Sequence, residues 1–185
     1  MKHVSVLALV ATMSLAAIPT NAAITIIGGG YARSCYLAAE FKRPLKSGIV
    51  DCDKALYEEA ISQNDRAATF VNRGIIYMFE RDFQRAIADY DNALKIDAKL
   101  AEAYVNKGIA VVHQGGNDRY AIELLSKGLE LDPARPEVAF YSRGVAHEMA
   151  GNTKEAYYDY QQAASLDPKW DVPQKELKRF KVIDK

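Results

Sequence analysis

Apolar and aromatic positions recur along this chain in three aligned blocks: Phe70-Val-Asn-Arg-Gly-Ile-Ile-Tyr77, Tyr104-Val-Asn-Lys-Gly-Ile-Ala-Val111 and Phe140-Tyr-Ser-Arg-Gly-Val-Ala-His147. Each block is followed by a second, namely Ala86-Ile-Ala-Asp-Tyr-Asp-Asn-Ala-Leu-Lys-Ile-Asp97, Ala121-Ile-Glu-Leu-Leu-Ser-Lys-Gly-Leu-Glu-Leu-Asp132 and Ala156-Tyr-Tyr-Asp-Tyr-Gln-Gln-Ala-Ala-Ser-Leu-Asp167. Phe70, Tyr77 and Tyr90, then Tyr104, Val111 and Leu125, then Phe140 and Tyr160 fall at spacings that give each helix one buried stripe. Each unit therefore reads as two helices. Small residues stand where the two must approach, with Gly74 matched to Ala86, Gly108 to Ala121 and Gly144 to Ala156.

The spacing from Gly74 to Gly108 is 34 residues and from Gly108 to Gly144 it is 36. One residue is added in the Gly115-Gly116-Asn117-Asp118 turn and one between Pro133 and Pro136. A period of this length means that one helix pair is stacked on copies of itself, because a single pair cannot bury its apolar face alone. The order aromatic, Gly, aromatic, Ala, aromatic, Ala and closing Pro resembles the tetratricopeptide repeat, a helix-turn-helix of about 34 residues. The closing Pro is present as Pro133 and Pro168 and replaced by Ala98, Gly128 stands where that family prefers Ala, and His147 stands where it prefers an aromatic. The resemblance implies an all-α, right-handed α-solenoid of antiparallel helix pairs with a C-terminal capping helix.

On this pattern the three repeats occupy about 67–100, 101–136 and 137–168. A fourth, degenerate one at 24–66 is suggested by Asp51-Cys-Asp-Lys-Ala-Leu56, which repeats the form of Asp89-Tyr-Asp-Asn-Ala-Leu94. Its first helix is predicted from Tyr31 to about Phe41. Four extra residues between Ala55 and Gly74, compared with Ala93 to Gly108, are expected to lengthen its second helix by roughly one turn. Residues 169–185 are predicted as the cap, with Leu177 and Phe180 on an inner edge and Lys175, Glu176, Lys178, Arg179 and Lys181 facing water.

Residues 1–23 read as a secretory signal peptide: one basic residue, an apolar core from Val4 to Ile18, Pro19, and small residues at Ala22 and Ala23. The core is shorter than the roughly 20 apolar residues of a membrane span, although an uncleaved anchor is the alternative. This predicts an exported protein, periplasmic or secreted, with no transmembrane segment after cleavage. The chain of 185 residues balances 24 Lys and Arg against 24 Asp and Glu, with no basic block to follow phosphates, which argues against nucleic acid as a partner. Its two cysteines, Cys35 and Cys52, are expected to pair as a disulfide in an oxidising compartment. Their spacing is unlike a Cys-x-x-Cys redox pair. On the repeat alignment the bridge ties together the two helices of the terminal repeat.

No reactive constellation stands out. Ile26-Ile-Gly-Gly-Gly-Tyr-Ala32 has Arg33 where a dinucleotide-binding turn needs its third glycine, and no alternation of strands and helices follows. His113 and His147 have no Cys or carboxylate at ligand spacing. Asp89 and Asp91 are two apart, which points them to different faces of a helix. The chain is therefore predicted to be no enzyme and to hold no catalytic residue, cofactor or metal. By the family resemblance, the inner helices line a groove that takes a protein or peptide, through Val71, Asn72 and Ile75, Val105, Asn106 and Ile109, and Tyr141, Ser142 and Val145. An Asn side chain carries a donor and an acceptor and can satisfy a ligand's backbone. The alternative is a structural adaptor without such a groove. The positions that could clamp a carboxylate are Ala68, Glu102 and Val138, which offer no cation. Arg73, Lys107 and Arg143 form a basic column that could pair with Asp89, Asp91 or Glu102.

Overall fold

The computed structural model describes residues 4–8, 23–26, 29–42 and 44–184. Most of the expected leader, including Ala22 of the expected cut, lies outside these residues. Among them the chain forms helices α1 (Tyr31–Phe41), α2 (Leu45–Tyr57), α3 (Gln63–Phe79), α4 (Phe83–Ile96), α5 (Ala101–Gln114), α6 (Asp118–Glu130), α7 (Pro136–Met149), α8 (Thr153–Leu166) and α9 (Asp171–Leu177). Each packs on its sequence neighbour, and α1, α3, α5 and α7 also touch in turn along one side. That arrangement is the α-solenoid, with the odd-numbered helices inside.

Glycine sets how closely each pair packs. A Cβ on Gly74 would lie 2.5 Å from the Tyr90 ring, one on Gly144 2.8 Å from the Tyr160 ring, and one on Gly108 2.6 Å from Leu125. These distances are below any real carbon contact, so the large residue of the second helix fills the space that a side chain would have taken. In the terminal repeat the roles reverse, with Gly48 on α2 facing the Ala38 methyl of α1. Gly128 has the same origin: a Cβ there would meet Val105 Cγ2 at 2.6 Å, so the alanine expected from the family does not fit this closer α5–α6 approach.

Cys35 and Cys52 are bridged and fully buried, joining α1 to α2. An end repeat has one neighbour only, and closing this loop stabilises it by about 3 kcal/mol in the chain-entropy account. The four extra residues do not lengthen α2, which has 13 residues. They form the turn before α3 and extend that helix at its start to 17 residues, three more than α5 or α7. The reason is local: Ser62 caps α3 by accepting a hydrogen bond from the Asp65 N–H at 3.1 Å, so the helix begins a turn early.

The C-terminal cap is shorter than expected. α9 stops at Leu177, and Phe180–Asp184 forms strand β2, paired antiparallel with β1 (Val4–Ala8) from Val4 opposite Asp184 to Ala8 opposite Phe180. Phe180 still faces inward, against the rings of Tyr157 and Tyr160. Arg179, expected in water, turns back to bond Glu148 of α7 and Glu176, because the helix has ended before the phase would carry it outward.

Candidate functional site

The basic column beside the inner helices is a set of stitches between repeats. Arg73 donates from Nε and Nη2 to the two Asp89 oxygens at 2.8 and 2.7 Å, and from Nη1 to Asp53 of the preceding repeat at 2.5 Å. Arg143 repeats this, donating twice to Asp159 at 2.8 Å and to Ser126 of the repeat before at 3.1 Å. Lys107 reaches Asp91 in the preceding repeat at 2.6 Å and the Tyr120 hydroxyl at 2.9 Å. Asp89 and Asp91 thus point to different partners, as their spacing requires. Burial opposes the charge on Arg73, but its hydrogen bonds and the Asp89 charge outweigh that and move its pKa up. Glu102, the remaining candidate partner, instead accepts from the Ala134 N–H at 3.1 Å.

The nine residues expected to line the groove are all buried, from Val71, Asn72 and Ile75 to Tyr141, Ser142 and Val145, with Val145 the most exposed at 7%. Different elements account for this. Val71, Ile75, Val105 and Ile109 belong to the main apolar core. Tyr141 is covered by Trp170, its ring 4.9 Å away, because the chain after α8 folds back over α7. The Ser142 hydroxyl donates to the Val138 carbonyl one turn back at 2.7 Å, a local bond that a serine inside a helix readily makes. Asn106 is also buried.

Asn72 does the work expected of a groove asparagine, and it does so on the protein's own chain. Its Oδ1 accepts from the Ile24 N–H at 2.9 Å and its Nδ2 donates to the Ile24 carbonyl at 2.9 Å. The segment 23–26 is neither helix nor strand, yet Ile26 is buried against Ala32, Ala55 and Ala68. Arg33 Nη1 donates to the Ile26 carbonyl at 2.9 Å. Beside this segment lies a cavity of about 310 Å³, walled by Ile24, Thr25, Tyr36, Glu40, Glu102 and Arg135. Sequence reasoning placed 24–26 in the first repeat without a role; the Ile-Thr-Ile alternation was the signal that could have marked it as an extended inward-facing segment.

The two histidines sit in the packing. His113 stacks on Phe83 with centroids 5.8 Å apart, and burial, with nearby Arg81, pushes its pKa down. His147 is shifted down by burial as well, 3.9 Å from Asp159.

Residues 67–100 and 138–170 each match a family model described as the tetratricopeptide repeat. A curated relative, the DnaJ homolog subfamily C member 7 homolog of Dictyostelium discoideum, is 29% identical over 113 residues, and the chain spans only 21% of its length. Among solved structures, MamA superposes with a TM-score of 0.65 at 20% identity, over 82% of each chain. YrrB, described as having an unusual peptide-binding site, gives 0.64 at 19% identity over 80% of this chain and 72% of its own. The second tetratricopeptide domain of human RPAP3, solved with an HSP70 peptide, gives 0.58 at 24% over 64% of this chain and 97% of its own. At these identities the likeness is one of fold.

The stitches generate a stability prediction. Replacing Arg73 by Met strands the buried Asp89 carboxylate and is expected to lower stability to urea by about 3 kcal/mol. Adding Asp89→Leu to that variant should recover much of the loss. A double variant as unstable as the sum of the singles would show that the pair is not a coupled unit.

Proposed function

We propose that this tetratricopeptide-type solenoid is a non-catalytic protein- or peptide-binding module, exported from the cytoplasm, that recognises partners through its concave groove. The observation that carries this reading is Asn72, which holds both the N–H and the C=O of one residue outside helix and strand, Ile24. Backbone capture of that kind is how an extended peptide is gripped without regard to its sequence, with neighbouring pockets supplying selectivity. The peptide-associated structures of YrrB and RPAP3 support binding as the activity of this architecture. The cavity beside the segment, with two carboxylates, Glu40 and Glu102, against one guanidinium, Arg135, in its wall, supports a neutral or basic ligand over a free carboxylate.

Burial of all nine groove residues favours a second reading, a structural adaptor in an envelope complex that uses its outer faces. The two are separated by photo-crosslinking in the native compartment. Photoreactive residues at Tyr36 and Glu102, on the cavity wall, should capture partners; adducts formed only from Tyr57 and Tyr158, exposed on α2 and α8, would overturn the groove reading.

The buried Cys35–Cys52 bridge supports export, since such bridges persist in oxidising compartments. Mass spectrometry after alkylation of protein taken from its native compartment should find neither cysteine modified. Labelling at both positions in native protein would contradict export.

A further inference from the structure

We propose that the segment Ala23–Ile26 is a tethered pseudo-ligand, and that the groove's external ligand is an extended, uncharged peptide of the same Ile-x-Ile character that must displace it. This rests on the groove reading above and adds to it the ligand's chemistry and a mechanism of control.

Three backbone groups of the segment are met by side chains of the solenoid: Asn72 takes the N–H and the C=O of Ile24, and Arg33 takes the C=O of Ile26. None of these bonds reads a side chain, so any extended peptide in the same register can make them. Selectivity comes from the alternation. In an extended chain residues two apart face the same way, and both isoleucines meet the pocket of Ala32, Ala55 and Ala68, Ile26 at 3% exposure and Ile24 half-buried where that pocket adjoins the main core. Thr25, between them, turns to the Tyr36 hydroxyl at 3.5 Å. The Ile26 place is walled by apolar side chains, which disfavours a charged residue there, and the half-buried Ile24 keeps one side on the apolar core and the other on the cavity.

The segment is also built to leave. It belongs to no helix and to neither strand of the β1–β2 ladder. The 310 Å³ cavity runs along its flank, so an incoming peptide can begin to bind at Tyr36 and Glu102 before the segment is fully released. While the segment is seated, apparent affinity for an external peptide is reduced in proportion to the fraction of molecules with the groove open.

The test uses the full chain and a fluorescein-labelled synthetic peptide of residues 22–27, followed by anisotropy. Ile24→Pro removes the N–H that donates to Asn72 and should weaken the tether. Ile26→Asp disfavours its other anchor and serves as the second variant, each being read only with its helical circular dichroism intact. Both should bind the peptide at least tenfold more tightly than the unsubstituted chain, and adding Asn72→Ala to Ile24→Pro should abolish the gain. Equal affinity of the unsubstituted chain and both variants would overturn the tethered segment while leaving the groove reading in place. Absence of binding to every variant, or equal binding of a peptide with both isoleucine places changed to Asp, would overturn the ligand assignment as well.

Discussion

The closest approach inside each helix pair decides the geometry of everything else. Tyr90 and Tyr160 can lie against the first helix of their repeats only because Gly74 and Gly144 have no side chain there, and Leu125 does the same at Gly108. With the pairs set at that distance, the remaining apolar faces have no partner but the next repeat. The main core accordingly runs without a break from Cys35 in α1 to Phe180 beyond α9. Forcing a methyl group into such an approach costs about 1–3 kcal/mol, more than the roughly 1 kcal/mol that alanine gains over glycine in an open helix. The glycines are therefore fixed by packing against the preference of the helix itself.

The stitches follow from the same spacing. One position before each glycine stands a cation, Arg73, Lys107 or Arg143, and at this helix separation it reaches an acid on a second helix. All three bind forward within their own repeat and backward to the one before, but Arg73 and Arg143 meet a forward carboxylate with two donors, whereas Lys107 meets only the Tyr120 hydroxyl ahead and Asp91 behind. The planar fork of a guanidinium can pair both oxygens of one carboxylate and still donate to a further group, which the point charge of an ammonium does not match. These residues, whose pairing with Asp89 and Asp91 was expected from the sequence, are engaged in holding the repeats in register.

The solenoid was legible because its signals are periodic. The aromatic and glycine positions, the helix from Tyr31 to Phe41, and the two helices that the Cys35–Cys52 bridge joins all follow from aligning the chain with itself. Features that occur once were harder to read. The extra turn went to α3 because Ser62 happened to cap it, and the last helix ended at Leu177, where a strand took over. The groove illustrates both cases. Its residues could be named from the repeat, but what covers Tyr141 and Asn72, namely Trp170 and Ile24, lies outside the three strong repeats. Asn72 was identified for its chemistry, and the group it binds could not be inferred from any periodicity.

Asn72, gripping the backbone of its own chain, is a packed part of the fold, and the same two bonds are those that the proposed recognition of a peptide needs. Amide hydrogen exchange read residue by residue on the full 185-residue chain, before any leader is cut, tests this most directly, at the N–H of Ile24. A residue outside helix and strand ordinarily exchanges near the free-peptide rate, yet the bond to Asn72 Oδ1 should protect Ile24 well beyond its neighbours Thr25 and Gly29. Exchange of Ile24 at the free-peptide rate, in a protein whose α3 amides remain protected, would contradict the account.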